Sequence, residues 1–296
     1  MPAVARWLAA RPQNGVLALA AGMILAPFFS GVVMAYLVFA NGVRTPLLQG
    51  AVAAALLVLL VIAGGGPAGQ VAAGAATWWV PAFLLAALAG RFRSLTLALQ
   101  VSVIAAMAVT VGFFVVLGDP TGYWNDTVAA SAELLRQAGL EEQAGVLSQS
   151  QAVIVPQMTM LFVFTAWTFY VLVALTGYAL FQALPGRRSA YGRFSDLNLG
   201  RVLGISVAVA SVGAVLTNWV WLQNVGFVAF AVFWLQGLAI LHWLHAVGRL
   251  PLFVVVATYV LLPFLNVLLV ISLAVLGYLD AWFDFRSRAG IRDDRV

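Results

Sequence analysis

Long apolar blocks, separated by polar connections, make up most of this sequence. Eight blocks contain no Asp, Glu, Lys or Arg: Val16–Ala40, Pro46–Gly64, Ala68–Ala89, Leu95–Leu117, Met158–Gln182, Val202–Leu222, Asn224–Ala246 and Pro251–Leu279. Apolar runs of about 18 residues or more indicate helices that cross a bilayer. Most connections are short and rich in Gly, Pro and Arg, which is typical of helix ends. The pattern therefore predicts an all-α fold, a polytopic transmembrane helical bundle.

The first and last blocks each contain a proline near the middle, Pro27 and Pro263. A proline inside a helix removes a backbone hydrogen bond and kinks or breaks the helix. We therefore predict that both blocks are broken or re-entrant, each returning to the side from which it entered. The alternative is an arrangement of eight simple, kinked spans, with both termini outside.

Two connections are long, and they carry opposite charge. Residues 118–157 hold one base, Arg136, and five acids: Asp119, Asp126, Glu133, Glu141 and Glu142. Asn125 or Asp126 can cap an amphipathic helix that runs to about Leu147. We expect this helix to lie on the surface; the alternative is a lid over a binding site. The other long connection, residues 184–201, has four arginines and one acid.

The distribution of arginine predicts the topology. All 15 basic residues are Arg, and positive residues favour the cytoplasmic side. This places 184–201 in the cytoplasm as a basic loop and 118–157 outside, with 284–296 as a cytoplasmic tail if the last block is re-entrant. The whole chain, 1–296, is then predicted to be one integral membrane domain in a bacterial cytoplasmic membrane. We attribute the formal charge of +5 to arginines that mark the cytoplasmic side of the membrane, and it gives no indication of nucleic-acid binding.

Composition excludes several classes of function. Only 8% of the 296 residues are charged, whereas soluble domains have about 25%. The chain has no cysteine, which excludes disulfides and thiolate metal sites. Phosphate-loop, dinucleotide and nucleophile-elbow motifs are missing, so we predict no enzyme activity and no cofactor. Because the predicted spans hold no carboxylate, ion-driven secondary transport is disfavoured.

Polar residues inside the apolar blocks are the candidate ligand-binding residues. Gln236 and Asn266 are the deepest amides, and His242 and His245 lie at i and i+3 on one helix face. The alternative is structural: amides often form hydrogen bonds between helices, and histidines in a last turn can meet free carbonyl groups. The candidates for docking a protein partner are the charged residues Arg187, Arg188, Arg193, Asp196, Arg201 and Asp280. For Asp196 and Asp280 the alternative is a surface ion pair of little energetic weight.

Three stretches carry a family resemblance. Asn224, the segment LQGLAILH (Leu235–His242) and the segment GYLDAWFDFR (Gly277–Arg286) together resemble the YybS-like family of predicted bacterial inner-membrane proteins. That family has no established activity. Its helical layout is similar to the substrate-binding subunits of energy-coupling-factor vitamin transporters and to the rod-shape protein MreD, an analogy of fold alone.

Two functions remain open at this point. The first is a solute-binding or transport-related membrane component, capped by residues 118–157 and energised by a cytoplasmic ATPase partner. The second is a non-catalytic scaffold in cell-envelope or division assembly. A polar cavity opening outward favours the first function, and a solidly packed bundle favours the second. Both functions imply a lipid bilayer as the environment.

Overall fold

The computed structural model of the chain describes residues 2–187 and 190–288, apart from the side chains of Asn266 and Arg288. Within these residues the regular structure is helical, and the only strand-like pairing is an isolated bridge between Ala190 and Gly192. The prediction of an all-α fold is confirmed. The helices in chain order are α1 (Pro2–Ala10), α2 (Pro12–Leu25), α3 (Pro27–Asn41), α4 (Arg44–Ala63), α5 (Ala68–Phe92), α6 (Leu95–Leu117), α7 (Thr121–Gln137), α8 (Glu141–Ile154), α9 (Met158–Gln182), α10 (Gly200–Thr217), α11 (Val220–Ala231), α12 (Trp234–Ala246), α13 (Leu252–Leu261), α14 (Asn266–Phe283) and α15 (Phe285–Arg288).

The chain divides into two compact units, and the division falls within α6 and α9. Unit 1 consists of Met1–Ser102 and Thr168–Leu197, and unit 2 consists of Val103–Trp167 and Asn198–Val296. Unit 1 therefore holds α1 to α5, and unit 2 holds α7, α8 and α10 to α15. Each unit has its own buried core, and the single membrane domain over 1–296 stays a prediction.

Six helical segments of the described chain are long and apolar enough to cross a membrane: Arg44–Ala63, Ala68–Phe92, Leu95–Leu117, Glu141–Gln182, Gly200–Thr217 and Val220–Ala246. The protein is therefore a multi-pass membrane protein whose environment is a lipid bilayer. In the first five segments only 28% to 33% of the most apolar window is buried, as expected for helices that face lipid. In Val220–Ala246 the share is 78%. This segment, made of α11 and α12, forms the core of unit 2 and is called the core helix below.

Both proline-containing blocks are broken, as predicted. Ala26 is extended (φ −162°, ψ 95°) between α2 and α3, and Pro27 occupies the first turn of α3, where its missing N–H is harmless. The last block is broken between the end of α13 at Leu261 and the start of α14 at Asn266. The proline signal therefore located both breaks, although it does not give the side of the membrane to which each helix returns.

Two boundaries differ from the predicted blocks. The helix α10 ends before Asn218, whose φ of 54° is left-handed, so Val220–Leu222 belong to α11 and not to the preceding block. The block Asn224–Ala246 is divided at Val232 and Phe233. There, backbone hydrogen bonds join residues that are three apart, such as Phe233 N–H to Phe230 O (3.1 Å), and the chain is wound more tightly than in an α-helix. The block is apolar on both sides of this turn, so hydropathy carried no signal for it.

The acidic connection forms a helical hairpin. The prediction of one helix from Asn125 or Asp126 to Leu147 is wrong, because the chain turns at Gly139 (φ 77°) between α7 and α8. Neither Asn125 nor Asp126 is the cap, because α7 begins at Thr121 and its N-cap, Pro120, makes no side-chain cap bond. Just before the helix, the carboxylate of Asp119 accepts hydrogen bonds from the N–H (3.0 Å) and the hydroxyl (2.6 Å) of Thr121. These two bonds hold the pKa of Asp119 below its usual value.

A small core attaches this hairpin to the rest of unit 2. Trp124 and Val128 of α7 are buried against Val155, and Phe113 of α6 packs on the same cluster. The indole N–H of Trp124 donates to the Thr159 hydroxyl at 2.8 Å. The apolar face of α7 thus packs against protein.

The closest helix crossing in unit 2 joins α12 and α14. A Cβ added at Gly237 would collide with the carbonyl oxygen of Leu273, and one added at Gly277 would collide with that of Phe233. Only glycine permits this backbone approach, which is how small residues bring membrane helices together.

We expect Gly277→Ala to destabilise unit 2, because the added methyl group forces α12 and α14 apart. The expected loss is about 1 to 3 kcal/mol, typical of overpacking. Thermal unfolding in detergent, followed by tryptophan fluorescence, measures it. The matched control is Gly112→Ala in α6, where a Cβ meets nothing within 4 Å. Equal unfolding temperatures for the two variants would contradict the close crossing.

Candidate functional site

The strongest cluster of polar side chains in unit 2 is centred on Gln236 of α12. This residue is completely buried. Its Oε1 accepts a hydrogen bond from the backbone N–H of Leu199 at 2.7 Å, and its Nε2 donates to Asp280 Oδ2 at 2.7 Å. The amide therefore connects the start of α10 with α14 through the core helix.

Asp280, in the last turn of α14, is also completely buried. Its Oδ2 accepts from Arg286 Nη2 at 2.8 Å, and its Oδ1 accepts from the backbone N–H of Phe285 at 3.1 Å. Only 11% of the Arg286 side chain is exposed. A buried carboxylate is tolerated when a charge and several hydrogen bonds compensate for the lost water, and all of these are present.

The geometry depends on a sharp end to α14. Asp284 takes a left-handed conformation (φ 46°), and its N–H bonds to Asp280 O at 2.8 Å. Aspartate tolerates this conformation better than most residues do. The chain then turns back, which brings Phe285 and Arg286 to the Asp280 carboxylate. Arg286 thus functions as a counter-ion that the sequence analysis did not assign.

The environment of Asp280 corrects the sequence analysis. The last apolar block was predicted to end at Leu279, with Asp280 outside it as a docking residue or as one partner of a surface ion pair. The ion pair exists, but it is buried inside the helical structure of unit 2. No pattern in the sequence indicates this burial, because it requires Gln236 of α12 and Arg286 of α15 to meet at the Asp280 carboxylate.

The other predicted docking residues have separate environments. Arg193 Nε pairs with Asp196 Oδ2 at 3.0 Å, and both side chains are about half exposed (51% and 46%). The Arg187 guanidinium lies 5.6 Å from the centre of the Phe181 ring, and Arg201 Nη2 donates to the carbonyl oxygen of Trp282 at 3.3 Å. Arg188 lies outside the described residues.

The two histidines have partners other than Gln236. His242 Nε2 is 2.9 Å from the hydroxyl of Tyr259, and His245 Nδ1 is 3.0 Å from the carbonyl oxygen of Leu250. Across the described part of the chain, no group of three or more His, Cys, Asp or Glu can hold a metal ion. Asn266 begins α14, and its side chain is outside the described structure. Of the predicted ligand-binding residues whose side chains are described, Gln236, His242 and His245 each have their own hydrogen-bond partners, and their role in ligand binding stays a prediction.

Asn224 is a further structural amide in the core helix. Its Oδ1 accepts from the backbone N–H of Met160 at 2.8 Å, and its Nδ2 donates to Val220 O at 2.9 Å. This side chain connects α11 with the start of α9. An amide in an apolar block indicates a hydrogen bond between helices, but the sequence does not identify α9 as the partner of Asn224.

No protein-family model, curated protein or solved structure matches this chain. The resemblance to the YybS-like family stays a prediction.

We expect Arg286→Met to destabilise the protein strongly, because it leaves the Asp280 carboxylate buried without a counter-ion. Breaking a buried pair from one side costs about 3 to 5 kcal/mol. The unfolding temperature in detergent measures the loss. The matched control is Arg193→Met, which breaks an exposed pair worth about 1 kcal/mol or less. The double variant Asp280→Leu with Arg286→Met should recover part of the loss. A loss no greater than in the control would contradict the buried pair.

Proposed function

We propose that this protein is a non-catalytic membrane scaffold that holds cell-envelope or division proteins at the cytoplasmic face of a bacterial inner membrane. The observation that carries the proposal is the internal pairing of Gln236 and Asp280. A solute pocket needs polar groups that are directed to the ligand. Here the amide oxygen of Gln236 accepts a hydrogen bond and its amide nitrogen donates one, both within unit 2. Both carboxylate oxygens of Asp280 also accept hydrogen bonds within the unit.

The rest of the core helix supports the same conclusion. Asn224 accepts a hydrogen bond from the backbone N–H of Met160 in α9, and it also donates to Val220 O within its own helix. Interhelical hydrogen bonds of this kind are worth about 0.6 to 2 kcal/mol each. Binding a solute at Gln236 would first require breaking the bonds to Leu199 and Asp280, leaving buried groups unpaired at further cost. The polar side chains of this segment therefore favour a packing role over a transport role.

Contacts at one end of unit 2 support a cytoplasmic tail after α14. Arg201, at the start of α10, bonds to Trp282 near the end of α14, and Gln236 connects Leu199 to Asp280. If α13 and α14 together made one simple span, the start of α10 and the end of α14 would lie on opposite sides of the membrane. The contacts favour a last block that returns to its side of entry. The basic loop and the tail are then both on the cytoplasmic side.

The basic loop is the proposed docking surface. Arg187 is exposed, and the Arg193–Asp196 pair is about half exposed, so these side chains can contact a partner. The loop has a net positive charge, which favours an acidic segment of a cytoplasmic protein. Asp280 does not belong to this surface, because it is buried.

Cysteine labelling tests the topology, since the chain has no native cysteine. We expect Ser195→Cys in the basic loop and Ser287→Cys in α15 to react with a membrane-impermeant maleimide only after the cells are permeabilised. Ser131→Cys in the exposed part of α7 should react in intact cells. Labelling of Ser195→Cys and Ser287→Cys from opposite sides would contradict the re-entrant last block.

Cross-linking in native membranes tests the scaffold. We expect the double variant Arg187→Gln with Arg193→Gln to lower the yield of a cross-linked cytoplasmic protein severalfold, because the docking charge is removed. Quantitative mass spectrometry of the purified complexes measures the yield. The double variant Arg91→Gln with Arg93→Gln removes the same charge from another predicted cytoplasmic connection and should have little effect. A small molecule that co-purifies with the chain and is lost in Gln236→Leu would instead support solute binding.

A further inference from the structure

The part of the basic loop that belongs to unit 1, residues 184–197, is attached to the helices through one buried hydroxyl group. Tyr178, near the end of α9, is only 3% exposed. Its hydroxyl donates to the carbonyl oxygen of Gly192 at 2.7 Å and accepts from the backbone N–H of Tyr191 at 3.0 Å. A tyrosine hydroxyl can donate and accept at once, so one side chain pairs with two backbone groups of the loop. The hydroxyl thus fixes the backbone immediately before Arg193.

The side chain of Tyr191 packs into an aromatic cluster on the same helices. Its ring centre lies 5.7 Å from that of Phe39 in α3, 5.8 Å from Phe181 and 5.9 Å from Tyr178, both in α9. Aromatic pairs at such distances add stability beyond the area that they bury. The carbonyl oxygen of Tyr191 also accepts from the backbone N–H of Leu95 in α6 at 2.8 Å. Three helices therefore hold this one residue of the loop.

Both proposed docking arginines are joined to this anchor. Arg193 directly follows the residue whose carbonyl oxygen accepts the bond from the Tyr178 hydroxyl. The Arg187 guanidinium lies 5.6 Å from the centre of the Phe181 ring, and that ring stacks on Tyr191 with 12° between the two planes. The positions of the two charges therefore depend on the hydroxyl of Tyr178 and on the rings around Tyr191.

The backbone conformation of Gly192 belongs to the same anchored form of the loop. Its φ is 97°, which glycine adopts at little cost and other residues do not. A Cβ added there would meet nothing within 4 Å, so alanine at this position would strain the backbone without disturbing the packing. A substitution of Gly192 can therefore loosen the loop while its charge and its aromatic cluster stay the same.

We propose that Tyr178 is a positioning residue for docking: it holds the basic loop in a preformed conformation, in which Arg187 and Arg193 meet an acidic segment of a cytoplasmic protein. This inference rests on the proposed scaffold function and adds the geometry that the docking charges require. A loop that is already ordered loses less conformational entropy when a partner binds. A loop that is ordered only part of the time binds more weakly, in proportion to that fraction.

Removing the hydroxyl tests the role of Tyr178 without changing any charge. We expect Tyr178→Phe, which keeps the ring, to lower severalfold the yield of the cytoplasmic protein recovered by cross-linking in native membranes. Gly192→Ala should lower the yield as well, because it disfavours the same loop conformation. The matched control is Tyr36→Phe, which removes another buried hydroxyl of unit 1 that bonds to Ala5 O (2.6 Å) in α1 and not to the loop. This control should leave the yield unchanged.

Limited digestion of the purified chain with trypsin measures the order of the loop itself, because cleavage follows local opening. We expect Tyr178→Phe to be cut severalfold faster than the unmodified chain after Arg193, next to the anchored backbone. Cleavage after Arg136, in the acidic hairpin of unit 2, is the internal reference and should keep its rate. Mass spectrometry of the fragments identifies each cut. The unfolding temperature in detergent should fall no further in Tyr178→Phe than in Tyr36→Phe.

The outcomes separate this inference from the scaffold proposal. If removing the two arginine charges of the loop lowers the cross-linking yield but Tyr178→Phe and Gly192→Ala do not, the scaffold stands and the positioning role is overturned. Faster cleavage after both Arg193 and Arg136 would mean a general loosening of the chain and would also overturn it, as would an equal effect of Tyr36→Phe. If removing the charges has no effect, the scaffold proposal itself fails, and the positioning role fails with it.

Discussion

Unit 2 depends on the burial of one carboxylate. Asp280 lies inside a helical membrane protein, where an isolated charge is very unfavourable, so its partners must be held in position. They come from α12 through Gln236 and from α15 through Phe285 and Arg286. Since Gln236 also accepts a bond from Leu199, the start of α10 belongs to the same arrangement. One charge therefore determines where four parts of the chain meet.

The close helix crossing and this polar cluster require each other. Gly237 follows Gln236 directly, and Gly277 precedes Asp280 by about one helical turn. The two glycines let the backbones of α12 and α14 approach, and the approach brings the amide within 2.7 Å of the carboxylate. Dispersion contacts and hydrogen bonds thus stabilise the same pair of helices. Unit 1 uses similar chemistry on a smaller scale, where the Trp79 indole donates to Ser30 at 2.7 Å.

The sequence predicted what depends on local signals. Apolar length gave the helical membrane fold, and Pro27 and Pro263 located the two broken blocks. It did not predict the turn at Phe233 or the burial of Asp280, because these depend on distant segments that pack there. The hairpin had a local signal that the sequence analysis did not use, namely Gly139 in a left-handed conformation just after α7. The roles of Gln236 and of the two histidines as ligand-binding residues stay predictions. Their observed partners, such as Tyr259 for His242, could not be identified without the fold.

The long separation between Gln236 and Asp280 has a consequence for biogenesis. They are 44 residues apart, and a ribosome adds about 5 to 20 residues per second, so roughly 2 to 9 seconds pass between their syntheses. Leu199 is made before Gln236, and its N–H can occupy the amide oxygen at once. The amide nitrogen must wait for α14 to insert. Until then Gln236 and Asp280 cannot pair, so this bond and the burial of both side chains are completed only when the last helices pack.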